Sequence, residues 1–223
     1  DEPRSFAKVC SANTRVFFMS SYDSVAVQRM YLSAFYTSMV QFSDVFCTSI
    51  GINMLGPDVD KFVNNILNFS DKIMEIDYKG YDTSMPIDVG ISVSGIIWNV
   101  CAYFGFNDKA LKILSGILSD GLESYVVLEG LILKYSGLQA SGKYGTAEDN
   151  SLRNLFLLVY YFVVTFDGRI PDDDFFKYVL PNTFGDDLVS AVKPEISKEF
   201  NGVHYEKFCA THYNMGVTGA TKG

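Results

Sequence analysis

Two acidic clusters each follow a short apolar segment. Asp77 closes the run Lys72-Ile73-Met74-Glu75-Ile76-Asp77, and Asp82 follows it by five positions. Asp186 and Asp187 sit in the middle of Asn182-Thr183-Phe184-Gly185-Asp186-Asp187-Leu188-Val189-Ser190-Ala191-Val192. Carboxylate oxygens are the ligands that a hard cation such as Mg²⁺ prefers. Two such ions about 4 Å apart activate an attacking hydroxyl and stabilise a leaving phosphate oxygen. Neighbouring strands that end in acids are a natural way to hold them. The plainer reading is that Asp and Gly are turn residues, and one Gly-Asp-Asp triplet carries little weight by itself.

A second candidate is Gly137-Leu138-Gln139-Ala140-Ser141-Gly142-Lys143-Tyr144, close to the phosphate-binding pattern G-x-x-x-x-G-K-[ST]. Tyr144 occupies the last position and lacks the aliphatic hydroxyl that would reach Mg²⁺. On that reading Val163-Val164-Thr165-Phe166-Asp167 would be the second, acid-bearing strand of an NTPase. Thr146 and Asn150 are four apart, hence on one face of a helix, where they could hydrogen-bond a sugar or a neighbouring side chain. The alternative for Asn150 is a polar residue facing solvent in mid-helix.

Around these residues, apolar spacing predicts helices over 23–48, 59–69, 86–102 and 111–118. Pro86 is acceptable in a first helical turn. A further helix is predicted over 146–162, with Glu148 and Asp149 carrying the right sign for its N-terminus. It should lie beneath a sheet and bury Phe156 and Val159. A short helix can begin at Pro171, and another can run from Glu195 or Asn201 to Asn214. Strands are predicted at 16–19, at 72–77 and at 125–133, the last interrupted by Gly130. Residues 182–192 read as two strands about an acidic turn. No internal repeat, low-complexity tract or linker divides the chain.

The 223 residues are 48% hydrophobic, 15% aromatic and 20% charged, which provides a core and excludes disordered and fibrous classes. With 18 Lys+Arg against 26 Asp+Glu the net charge is −8, so a nucleic-acid partner requires a local basic patch. Cys10, Cys47, Cys101 and Cys209 form no C-x-x-C unit, and the only histidines are His204 and His212. This argues against zinc and against a disulfide framework, and points to a reduced, intracellular setting. No apolar leader follows Asp1-Glu2-Pro3-Arg4. The greasy run at 155–165 is too short to span a bilayer, which takes about 20 residues, and reads as a buried helix. The absent initiator Met and the ending Gly219-Ala220-Thr221-Lys222-Gly223 suggest a piece of a longer polypeptide.

Taken in order, these motifs resemble the RNA-dependent RNA polymerases of positive-strand picorna-like viruses. Asp77-Tyr78-Lys79-Gly80-Tyr81-Asp82 resembles the first palm motif, an aspartate, four residues and a second aspartate. Ser136-Gly137, Ser141-Gly142, Gly145-Thr146 and Asn150-Ser151 resemble the second, S-G-x-x-x-S-G-x-x-G-T-x-x-x-N-S. Phe184-Gly185-Asp186-Asp187 resembles the third, usually Tyr-Gly-Asp-Asp. Asp1-Glu2, Arg4, Lys8, Thr14 and Arg15 resemble the end of the basic fingers motif, with Asn13 where many relatives carry Lys. Gly216-Val217-Thr218, Ala220 and Lys222 resemble a G-x-T-x-x-x-x-K element near the palm's end, with altered spacing.

The resemblance implies an α+β fold: a right-hand polymerase palm with an antiparallel sheet packed on helices, plus partial fingers. Residues 1–70 would be fingers and their junction, and 71–223 palm with a fingers insertion around 100–135, without a thumb. It implies transfer of NMP from NTP to the 3′ end of RNA, serving viral genome replication and transcription. Two Mg²⁺ ions, replaceable by Mn²⁺, would be held by Asp77, Asp186, Asp187 and the backbone carbonyl of Tyr78. Arg4, Lys8 and Arg15 would meet the triphosphate. Asp82, Ser141, Gly142, Thr146 and Asn150 would read the ribose, and Lys222 would protonate pyrophosphate. Partners would be template and product RNA, NTPs and other viral replication proteins. The setting would be the host cytoplasm, at complexes that other proteins attach to membranes, with no membrane span and no zinc here. The segment alone would be weakly active or inactive. A reverse transcriptase would share the acids, but it usually places a bulky residue near the Asp82 position, whereas Asp82 with Asn150 favours an RNA product. An interaction protein without catalysis is the remaining class, and whether folding brings Asp77 to Asp186 separates it.

Overall fold

A computed structural model describes residue 10, residues 19–137, residue 139 and residues 142–219. Arg4, Lys8, Asn13, Arg15, Ser141 and Lys222 lie outside the described residues, as does the strand predicted at 16–19 except Met19. The chain opens with α1 (Tyr22–Gln41), α2 (Ser43–Phe46) and α3 (Pro57–Phe69), followed by β1 (Ile73–Lys79) and α4 (Tyr81–Ser84). Next come α5 (Ile87–Tyr103), α6 (Asp108–Leu122), β2 (Glu123–Leu128), β3 (Leu131–Ser136) and the long α7 (Thr146–Phe166). A 3₁₀ turn and α8 (Phe175–Tyr178) lead into β4 (Val179–Phe184), β5 (Asp187–Val192), α9 (Gly202–Tyr213) and β6 (Gly216–Gly219). Four strands form an antiparallel sheet in the order β4-β5-β1-β6. The α+β class with an antiparallel sheet packed on helices is therefore observed.

Local chemistry explains most boundaries. Ser21, Asn107 and Asn201 cap α1, α6 and α9 by accepting from the backbone N–H of Ser24, Ala110 and His204, the groups a helix leaves unpaired. Pro57 starts α3, where its missing N–H costs nothing. Pro86 is the N-cap of α5 rather than part of its first turn.

Four expectations are corrected. The helix predicted over 23–48 stops at Gln41, because the segment after it bonds to the sheet edge. Thr183 donates its N–H to the Cys47 carbonyl at 2.9 Å, and Ser49 donates to the Thr183 carbonyl at 2.8 Å. The single strand predicted over 125–133 is a hairpin, β2–β3, turning at Glu129 and Gly130 with φ of 49° and 82°. Two successive positive φ values match the right-handed twist of the strands they join. Residues 163–166 continue α7, so the acid-bearing NTPase strand does not exist. The deepest apolar side chains of α7 are Leu157, Leu158, Tyr161 and Phe162, while Phe156 and Val159 are partly buried. The helix is thus rotated by about one position from the expected face.

Two cores result. Beneath the sheet, Met74, Ile76 and Tyr78 of β1 and Leu188 and Val192 of β5 pack on α7 and on Tyr205, Phe208 and Cys209 of α9. Leu32, Phe35, Tyr36 and Met39 of α1 pack with Val93 and Ile97 of α5 and Leu114 and Leu118 of α6. Phe156 touches both cores. Among the described residues no helix is long and apolar enough to cross a membrane.

The first half of α7 buries charge. Asp149 accepts from Lys143 Nζ at 2.8 Å and lies 3.8 Å from Arg153 Nη2, all three side chains being almost inaccessible. Burial alone would push the Asp149 carboxyl up, but Lys143 and Arg153 outweigh it and hold the group below the ordinary Asp range. A carboxyl lowered on folding stabilises the fold above its unfolded value, and that contribution is lost as pH falls through the folded value. Asp149→Asn strands two buried cations and should cost about 3–5 kcal/mol, read by urea unfolding. It should also remove part of the acid-side loss of stability.

Candidate active site

β1 alternates, with Met74, Ile76 and Tyr78 inward and Ile73, Glu75, Asp77 and Lys79 outward, the period of a strand with one buried face. Its register against β5 ends at Ile76↔Leu188. The next position along each strand is Asp77 on β1 and Asp187 on β5, and Asp186 follows in the β4–β5 turn. Two of the sequence-predicted acids are thereby brought beside the third, on the solvent face, all three exposed. On its other side Asp77 faces Thr218 of β6, whose hydroxyl donates to the Asp77 carbonyl at 3.4 Å.

Burial, then the fields of Asp186, Asp77 and Glu75, push the Asp187 carboxyl above its ordinary value. The three acids repel one another. Among the described residues none is ion-paired to Lys or Arg. An all-oxygen, mutually repelling set suits a hard divalent cation and no soft one. Among the described residues, no group of three or more His, Cys, Asp or Glu side chains is already gathered tightly enough to form a metal cage.

The acidic turn is held from below by α7. Ser151 Oγ accepts the Gly185 N–H at 2.8 Å, and Asn154 Nδ2 donates to the Asp186 carbonyl at 2.9 Å. The Tyr78 side chain points inward, where its hydroxyl donates to Asn154 Oδ1 at 2.9 Å.

Asp82 lies in α4, one short turn after β1. The Tyr81 hydroxyl donates to the Asn150 carbonyl at 2.8 Å, and Asn150 Nδ2 donates to Asp82 Oδ1 at 3.4 Å. Asn150 is buried, so the solvent-facing alternative does not hold. Its Oδ1 is buried and has no hydrogen-bond partner among the described residues. The Gly/Ser loop reaches the same place, Gln139 donating its N–H to the Asp82 carbonyl at 2.9 Å. Gly142 bridges Met19 instead, and the Thr146 hydroxyl donates to the Lys143 carbonyl at 2.8 Å. Gly145, at φ 74°, precedes α7, and a Cβ there would lie 2.0 Å from the Tyr36 ring, so only glycine fits.

The family model for viral RNA-dependent RNA polymerase matches residues 1–218. The chain belongs to this family. It is 26% identical over 219 residues to the replicase polyprotein of Acute bee paralysis virus, covering 90% of this chain and 11% of that one. The corresponding figures for the RNA1 polyprotein of Broad bean wilt virus 1 are 23% over 198 residues, 88% and 10%. Among solved structures, a Sicinivirus 3Dpol RNA-dependent RNA polymerase superposes with a TM-score of 0.80 at 18% identity, over 99% of this chain and 44% of that one. The segment therefore spans about a tenth of those polyproteins and under half of that polymerase.

Within this polymerase segment, the sequence reading located the acids and Asp82–Asn150 but missed the groups that hold them. Those groups are Ser151, which belongs to the second motif, and Asn154, which lies outside every motif. The available signal was their i, i+3 spacing on a helix whose next turns are apolar, which places two polar side chains on the buried face. Ser151→Ala should leave the Gly185 N–H unpaired and cost about 1–2 kcal/mol locally. The check is hydrogen exchange, with the Gly185 amide expected to exchange faster.

Proposed function

We propose that this segment carries the catalytic centre of an RNA-directed RNA polymerase that transfers NMP from NTP to the 3′ end of a growing RNA. The observation that carries the reading is that Asp77 and Asp187 on adjacent strands, with Asp186 in the β4–β5 turn, stand at one end of the sheet with no ion pair to Lys or Arg among the described residues. Asp77, Asp186 and Asp187, with the Tyr78 carbonyl, would hold two Mg²⁺ ions, with Mn²⁺ able to substitute. When bound, the ions supply activation of the 3′-hydroxyl and stabilisation of charge on the leaving phosphate.

The remaining roles belong to the chain's own side chains. Asp82 and Asn150 would face the ribose, with the Asn150 amide N–H bonded to Asp82 Oδ1 and so holding that carboxylate toward the 2′-hydroxyl. A deoxynucleotide would forgo the hydrogen bond that the 2′-hydroxyl makes with this pair, which would be the basis of the sugar choice. This favours a ribonucleotide over a deoxynucleotide substrate. Ser141, Gly142 and Thr146 would shape the same wall. Arg4, Lys8 and Arg15 would meet the triphosphate, Arg by its planar fork. Lys222 would deliver the proton to the leaving pyrophosphate. Template bases are read by pairing, so the protein need only hold the RNA backbone.

The test is templated incorporation of labelled NTP by an intact polymerase polypeptide carrying this segment, with Mg²⁺. Asp186→Asn removes one charge from the cation site while keeping the turn's shape, and should lower the rate at least roughly 10³-fold with folding little changed. Near-normal incorporation would remove Asp186 from the site. Asn150→Ala should reduce NTP over dNTP selectivity by about 1–3 kcal/mol in a competition assay. Unchanged selectivity would detach Asn150 from the sugar.

A further inference from the structure

We propose that Asn154 is a positioning residue that holds the two acid-bearing segments of the active site together and thereby sets their affinity for divalent cations. The inference rests on the function proposed above, but its observations are separate. The β1–β5 ladder ends at Ile76↔Leu188, one residue short of Asp77 and Asp187. Past that point the carboxylates repel, and no β1–β5 backbone pair joins Asp77 to Asp187.

Asn154 lies directly beneath the gap and is fully buried. Its two N–H groups serve three carbonyls, those of Gly185, Asp186 and Asp187, at 3.4, 2.9 and 3.4 Å. Its Oδ1 accepts from Tyr78, the residue next to Asp77. Among the described residues, Asn154 alone has side-chain hydrogen bonds to both segments. Ser151 reaches only the turn and Thr218 only the Asp77 carbonyl.

The tether continues inward. The Tyr78 hydroxyl lies 2.6 Å from that of Tyr205 on α9, and the two rings meet edge to face. Phenol and primary amide are uncharged hydrogen-bonding groups, so the chain from α9 through Tyr205, Tyr78 and Asn154 to the acidic turn brings no charge to it. A neutral tether suits this place, because a charged one would add to or cancel the field meant for the cations. Only a primary amide offers an acceptor on one side and two donors on the other at this reach. An apolar residue of equal size would take the side-chain donor from the three carbonyls and leave the Tyr78 hydroxyl only Tyr205 as a partner.

The experiment compares the unaltered intact polymerase with Asn154→Ala and Tyr78→Phe. Mn²⁺ affinity is measured by electron paramagnetic resonance without nucleotide, alongside the Mg²⁺ concentration for half-maximal rate, duplex RNA affinity and thermal stability. Asn154→Ala is expected to weaken Mn²⁺ binding and raise the Mg²⁺ requirement by about fivefold or more. Tyr78→Phe should shift both in the same direction by less, and RNA affinity should hold. A folded Asn154→Ala protein with unchanged Mn²⁺ affinity overturns the proposal, even if its thermal stability falls. Should that variant fail to fold, Tyr78→Phe decides, and unchanged metal affinity there overturns it. If the unaltered polymerase neither binds Mn²⁺ nor incorporates NTP, the proposed function itself fails. An active polymerase with indifferent variants removes only the role of Asn154.

Discussion

The first turns of α7 bury Asp149, Asn150, Ser151, Arg153 and Asn154 in succession, and buried polar groups must be bonded or they destabilise the fold. Their partners are the segments that matter for chemistry. Asn150 takes Asp82, Ser151 and Asn154 take the acidic turn, and Asp149 takes Lys143 and Gln139 from the Gly/Ser loop. Three chain segments remote in sequence are therefore held at one end of the sheet by a single helix. Its later turns, with Leu157, Leu158, Tyr161 and Phe162, anchor that helix in the apolar core.

The protein treats its carboxylates in two opposite ways. Asp149 is buried and neutralised by Lys143 and Arg153, so it is structural and has no capacity left for a ligand. Asp77, Asp186 and Asp187 are exposed and lack ion pairs among the described residues, and burial followed by the fields of the neighbouring acids raises the Asp187 carboxyl. The net charge of −8 supplies no general attraction for the proposed RNA and triphosphate substrates, so their affinity would have to come from local groups and cations. Accumulated negative charge at one exposed sheet end is destabilising in isolation and becomes useful only with a cation to share.

The helix over 146–162, the strand ending near Asp77 and the acidic hairpin were legible because each is a local pattern: an apolar period, a cap or a turn signal. Other features depend on distant partners. The break after Gln41 follows from Thr183, which draws residues 47–49 to the edge of β4. The face that α7 buries is set by packing against the sheet and α9, which displaces Phe156 and Val159 from the deepest position.

From the sequence by itself came the residue types and order of the site: acids after Ile76 and Gly185, Asp82 five beyond Asp77, and Asn150 one turn beyond Thr146. Those are short-range facts, and covalent spacing with strand and helix periods carries them. Only the tertiary structure decided that Asp77 and Asp187 stand one position beyond the last β1–β5 pair, that Asn150 reaches Asp82, and that Asn154 bonds to both acid segments. Such pairings join residues 30 to 110 positions apart, and their register is chosen by burial of Ile76, Tyr78 and Leu188 against α7. A one-residue slip would turn those side chains to solvent and the acids into the core.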